Sequence, residues 1–183
     1  MVSEQSRSTS VASRLFQDAS GSRTGLRRVA GAVLTVRGLA TTLFRLSQVL
    51  GHVQSGLGHA VKQVNHVVTG ADLAWQAEVG PGLCLYHPTG VVIGPGVRVG
   101  SRCELQQGVT IGGLGGPEGS RPDAPSPTLG DDIVVGAGAR ILGPITLGDG
   151  CRVGANAVVI RSAAAGETLV GVPASPVGRS ARE

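Results

Sequence analysis

From about Asp72 onward the chain repeats every six residues. Aliphatic side chains stand at Ile93, Val99, Leu105 and Ile111, and again at Leu129, Val135, Ile141, Leu147, Val153 and Val159. A second row, mostly small and apolar, precedes the first by two positions: Val91, Val97, Cys103, Val109, Pro127, Ile133, Ala139, Ile145, Cys151 and Ala157. Glycine often follows the large residue, as in Ile93-Gly94, Ile111-Gly112 and Val153-Gly154, where a sharp turn carries no Cβ penalty. A short extended segment plus a tight turn in six residues forms one side of a triangular coil. Three sides make a turn of about 18 residues, so the period predicts a parallel β-helix.

Two interruptions of the period are candidates for function, because a regular solenoid has no other reason to break step. Ile111 and Leu129 are eighteen positions apart, so the segment from Leu114 to Ser126 is expected to leave the coil as a loop and rejoin it one turn later. Val79 and Ile93 are fourteen apart, two more than two sides require, which places a bulge at Leu85-Tyr86-His87-Pro88-Thr89-Gly90.

Upstream the period changes. Leu39, Leu43, Leu46, Leu50, Val53, Leu57, Ala60, Val64 and Val67 alternate in steps of three and four, the spacing of one helical stripe. Gly51, Gly56 and Gly58 within it predict a break between two helices. Such a stripe serves packing or oligomer contact, or, on a basic segment, a membrane surface. Residues 1–25 are rich in Ser, Arg and Gly without periodicity, the pattern of a disordered basic tail. The expected organisation is therefore a tail (1–25), a helical segment (26–71), the β-helix (72–178) and a short terminal tail (179–183).

Composition narrows the class. With 30 Gly and only one Trp, one Tyr and two Phe, the core has to be thin, aliphatic and repetitive. The net charge of +4 comes from the first 71 residues, where eight basic residues face two acidic ones, while the remainder carries eight basic and ten acidic. A nucleic-acid-binding function thereby loses its support. Cys84, Cys103 and Cys151 lack the paired short spacing of a zinc site and read as small core residues of a reducing compartment. The N-terminal residues contain no apolar run of signal-peptide type, and Arg37 and Arg45 interrupt the stretch Val29 to Leu50. No transmembrane segment is expected, and the predicted location is the cytoplasm.

Among the four histidines, His52, His59 and His66 belong to the helical zone at sevenfold spacing, expected to line one helical face. His87 stands alone in the repeat zone, which excludes a trihistidine metal site on the β-helix. A lone imidazole in a bulge is suited to general-base work near neutral pH.

The segments LYHPTGVVIG (85–94), QQGVTIGG (106–113), VVGAGARILGPITLGDG (134–150), VGANAVVI (153–160) and ETLVGVPASPVG (167–178) resemble the bacterial serine acetyltransferase family of hexapeptide-repeat acyltransferases. The helical lead-in from LFRLSQVLG through VVTGADL is similar to the segment preceding the β-helix in that family. The resemblance implies a left-handed coil, acetyl-CoA as co-substrate, no metal, and transfer of acetyl to a hydroxyl, most simply that of L-serine in cysteine biosynthesis. It places the catalytic histidine on His87 and its orienting aspartate on Asp72. It also implies backbone oxyanion donors at Gly112 and Gly113, and a CoA groove along Gly113, Ala137 and Ala155 with Arg152 near the phosphates. That groove would lie between subunits of a homotrimer, or of a dimer of trimers.

Three positions depart from the family pattern. Tyr86 stands where the family usually has an aspartate that helps hold the amino-acid acceptor, so Tyr86 belongs to the expected acceptor site. Pro125 and Ser126 replace an Arg-His pair, leaving Arg121, Asp123 and Glu118 of the longer loop as possible substitutes in acceptor binding. The C-terminal GRSARE lacks the terminal isoleucine with which family members insert into the next enzyme of cysteine synthesis, and that partnership is not expected. Two alternatives stay open: an O-acetyltransferase acting on a sugar or secondary metabolite, and a noncatalytic trimeric scaffold.

Overall fold

The computed structural model describes Ser13, residues 35–113 and residues 125–177. Among the described residues, the two helices α1 (Val36–Val53) and α2 (Ser55–Thr69) precede fifteen short strands. Fourteen of these, β1 (Asp72–Leu73) to β14 (Thr168–Gly171), form three parallel sheets taken in rotation as far as β13, after which the second sheet is met only by a single bridge, Leu147 to Ala163, before β14 joins the third. The first sheet stacks β1, β4 (Val92–Ile93), β7 (Thr110–Gly112), β10 (Arg140–Leu142) and β13 (Val158–Val159), the second β2 (Glu78–Val79), β5 (Arg98–Val99), β8 (Thr128–Leu129) and β11 (Thr146–Leu147), and the third β3 (Cys84–Leu85), β6 (Glu104–Leu105), β9 (Val134–Val135), β12 (Arg152–Val153) and β14. That rotation is the parallel β-helix predicted from the period. The last strand, β15 (Ala174–Pro176), folds back antiparallel on β14 and ends the third sheet.

The registers show how the six-residue rule builds the core. Leu73, Ile93, Ile111, Ile141 and Val159 stand in one column, Val79, Val99, Leu129 and Leu147 in the next, and Leu85, Leu105, Val135, Val153 and Leu169 in the third. All are buried, and fully burying such a side chain is worth about 1.5–3 kcal/mol. The predicted small row fills the corners, with Val91, Val97, Cys103, Val109, Ile133, Ala139, Cys151 and Ala157 at zero exposure. Each coil turns one corner through a left-handed residue, Gly70, Gly90, Gly108, Gly138 and Asn156 in succession. Only glycine adopts that backbone without cost, and asparagine tolerates it.

The registers also correct one expectation. Thr128 and Leu129 pair with Arg98 and Val99, so the chain rejoins the coil on the very next side rather than one turn later. The excursion inserts twelve residues at a corner and skips no coil. The bulge is as predicted: Leu73 stands over Ile93, twenty positions on, against eighteen from Ile93 to Ile111.

The helical pair differs from its expectation in two respects. The break lies at Gln54, an extended residue that caps both helices, and not at a glycine. Gly51 and Gly58 serve close packing instead, since a Cβ on Gly58 would lie 2.6 Å from the Cα of Gly51, and one on Gly51 would strike the Trp75 ring. The histidines do not line one face, because two helices carry them; His52 and His59 meet Trp75 edge-on, with centroids 6.0 and 5.9 Å away. The apolar stripe faces outward, with Val53 and Val67 about four-fifths exposed, which leaves the contact-surface alternatives open for it.

The inward face of α1 mixes Ala40 and Phe44 with the buried polar residues Thr41, Arg45 and Ser47, and the first coil explains the polar share. The carbonyls of Ala77, Val79 and Gly80 have no earlier coil to bond. Arg45, buried, donates to Val79 O at 2.8 Å and Gly80 O at 2.6 Å, while Gln48 Nε2 donates to Ala77 O at 2.8 Å. A buried carbonyl without a donor costs about 1–3 kcal/mol, so these side chains close the end of the stack. Asn65 of α2 completes the seam by donating to Ala40 O at 3.0 Å.

Candidate functional site

The bulge between β3 (Cys84–Leu85) and β4 (Val92–Ile93) turns Tyr86 and His87 outward while Pro88 is buried beneath them. Two backbone bonds pin it: Val91 N–H donates to Pro88 O at 3.0 Å, and Gly90 N–H to Gly70 O at 2.9 Å. The second ties the bulge to the residues immediately before Asp72, whose own N–H donates to Val91 O at 2.8 Å. The fold thus carries His87 and Asp72 on neighbouring coils at one corner. Among the described residues no hydrogen bond joins them; Asp72 Oδ1 instead pairs with Lys62 Nζ from α2, a contact that periodicity had no means to reveal.

Below the bulge on the third sheet, Glu104 of β6 stands in register with Cys84. The Tyr86 hydroxyl donates to Glu104 Oε2 at 3.2 Å. The negative charge of Glu104 is the main reason the Tyr86 phenol is pushed above its ordinary value, so the hydroxyl keeps its proton and remains the donor. Glu104 was not singled out from the sequence, although the twenty-residue step across the bulge carries the signal that would have placed it beside residues 84–86.

Gly112 ends β7 (Thr110–Gly112), and Gly113 follows it; a Cβ on Gly112 would meet nothing within 4 Å, so the backbone there is open to close approach. Ala137 lies at the corner after β9 (Val134–Val135), its N–H donating to Gln106 Oε1 at 3.2 Å. Gly136 packs on the next coil so closely that a Cβ would lie 2.6 Å from Ala155 N. These small residues leave a shallow corner, with Ala155 exposed. Arg152 of β12 (Arg152–Val153) stands in register with Val134 and Thr168 on the outside of the third sheet, its side chain exposed.

Arg121, Asp123 and Glu118 of the loop lie outside the described residues. Pro125 and Ser126 are described, and Ser126 Oγ donates to Pro95 O at 3.2 Å. Cys103 and Cys151 are buried free thiols, and Cys84 is a half-buried one. Burial pushes the Cys103 thiol up to about 11, in keeping with a packing role. No cluster of metal ligands occurs among the described residues, and no helix among them is long and apolar enough to cross a membrane.

Residues 126–161 match the family described as Bacterial transferase hexapeptide (six repeats). The serine acetyltransferase of Mycobacterium tuberculosis is 41% identical over 118 residues, 64% of this chain and 50% of that protein. The serine acetyltransferase of Helicobacter pylori (strain J99) is 42% identical over 117 residues, 64% of this chain and 66% of that protein. Among solved structures, soybean serine acetyltransferase superposes with a TM-score of 0.81 at 31% identity, covering 91% of this chain and 69% of that one. The Neisseria gonorrhoeae serine acetyltransferase gives 0.82 at 29% identity, covering 94% and 67%. The coil described above is the left-handed parallel β-helix of those structures. The chain spans about half the length of the first two curated relatives it matches, 50% and 48%.

Proposed function

We propose that this chain, which belongs to the serine acetyltransferase family, transfers the acetyl group of acetyl-CoA to the hydroxyl of L-serine, a step of cysteine biosynthesis. The observation that carries the reading is the two-residue bulge. It lifts His87 out of an otherwise regular coil and hydrogen-bonds to the turn that leads into Asp72. The identity to serine acetyltransferases supports the chemistry, and a soybean relative of this fold has been determined in complex with serine.

In this reading the His87 imidazole takes the proton of the acceptor hydroxyl as that oxygen attacks the thioester carbonyl. Lys62 anchors one oxygen of Asp72, and the other oxygen is the one that orients the imidazole and offsets the positive charge it gains. Backbone N–H groups at Gly112 and Gly113 serve the developing oxyanion. When the tetrahedral centre collapses, the C–S bond breaks and the imidazolium returns its proton to the departing thiolate. The pantetheine arm runs past Gly113, Ala137 and Ala155, where small side chains let it approach the backbone, and Arg152 meets the phosphates. The groove is completed by a neighbouring copy, so the working form is a homotrimer or a pair of trimers, located in the cytoplasm.

The test is thiol release from acetyl-CoA with L-serine, homoserine and a panel of sugars. L-Serine is expected to be the preferred acceptor, and His87→Ala is expected to lower turnover by about 10²- to 10⁴-fold with acetyl-CoA binding retained. A variant with near-normal turnover removes His87 from the chemistry, and preference for a sugar moves the enzyme to another acceptor class.

A further inference from the structure

Resting on that reading, we infer that Glu104 is the residue that selects an acceptor bearing an ammonium group, and that Tyr86 positions it. An amino-acid acceptor is cationic at its α-amino group near neutral pH, and a site that prefers it needs a carboxylate with an oxygen to spare. Two described carboxylates lie around the bulge. Asp72 is paired with Lys62 and is assigned in that reading to the imidazole. Glu104 is half-buried and gives only Oε2 to the Tyr86 hydroxyl, while Oε1 makes no hydrogen bond or ion pair among the described residues.

The geometry favours a binding role over a structural one. Tyr86 directly precedes His87, so the carboxylate it holds is tethered beside the proposed base. The phenol is a donor and nothing more, since the neighbouring negative charge keeps it protonated. It fixes Glu104 without neutralising it. Arg37, near the start of α1, contributes an opposing charge felt at the same phenol, and α1 packs against β3. A carboxylate at this position suits an acceptor that carries an ammonium group, which a neutral sugar lacks.

The substitution Glu104→Gln keeps an oxygen that accepts from Tyr86 and removes only the charge. The acceptors to compare are L-serine and 3-hydroxypropionate, which carries the same hydroxyl and carboxylate without the ammonium. For Glu104→Gln the KM for L-serine is expected to rise by about 10- to 100-fold, the range of a lost charged hydrogen bond. The KM for acetyl-CoA and the turnover of 3-hydroxypropionate should stay within about twofold of wild type, and calorimetric titration should show the same loss for L-serine alone. Tyr86→Phe should raise the L-serine KM by a smaller factor, about two- to fivefold, because the carboxylate remains and only its tether is lost.

Equal losses for the two acceptors, or no loss for L-serine, overturn the inference while leaving acetyl transfer standing, as does a Tyr86→Phe effect larger than that of Glu104→Gln. A wild-type chain that binds neither acetyl-CoA nor L-serine overturns the acetyl-transfer reading and this inference with it.

Discussion

The two parts of the molecule treat their apolar residues in opposite ways. In the β-helix every large aliphatic residue of the six-residue row points inward, and the polar residues stand outside. In the helical pair the inward face sets Thr41, Arg45, Ser47, Asn65 and Thr69 beside Ala40 and Phe44, while Val53, Leu57, Val64 and Val67 look outward. The reason lies in what each part has to satisfy. A middle coil finds its backbone partners in the coils on either side, so its interior can be wholly apolar. The first coil has no predecessor, and the helix laid across it has to bring donors. Periodicity therefore identifies a face, and the partner decides which face is inside.

Three substitutions test that contrast, in descending order of effect. Ile141→Ala, in the middle of a column, removes a fully buried side chain between Ile111 and Val159. It should lower stability by about 2–5 kcal/mol in a urea titration. Arg45→Met keeps volume but withdraws the donors from Val79 O and Gly80 O. The expected loss is about 1–3 kcal/mol, and an unchanged midpoint would mean that water or a neighbour closes the first coil equally well. Val67→Ser, on the outward stripe, is expected to change the free energy of folding by no more than about 0.5 kcal/mol. A cost comparable with that of Ile141→Ala would show that Val67 is covered in the working protein.

Much of this was legible in the sequence. The period of six supplied the coil, and a two-residue excess between Val79 and Ile93 supplied the bulge, because both are consequences of counting. The turn at which the long excursion rejoins was misjudged, since the distance from Ile111 to Leu129 equals one full coil by coincidence and the count alone does not separate a side from a turn. The orientation of the helical stripe was hidden because hydrophobic residues suit either a core or an interface. The roles of Gly51 and Gly58 depend on contacts between two helices and with Trp75, which spacing does not encode. Within the candidate site, His87 was singled out by the bulge and by the resemblance, and Asp72 by the resemblance alone. Lys62 and Glu104 were missed because each arrives from another element, one from a helix and one from the next coil.

The corner after Gly113 has a consequence for how such a chain diversifies. On leaving that corner the backbone has closed its bonds with β4 and β10, and on returning at Thr128 it meets Arg98 in the register it would have had without any excursion. Chain length at this point is thus decoupled from the architecture. Residues gained or lost within a strand would throw every following column off its neighbour, whereas at this corner, as at the bulge, they leave the stack as it was. Lineages built on this coil can exchange the segment as a cassette, altering the chain carried at that corner while inheriting the scaffold unchanged.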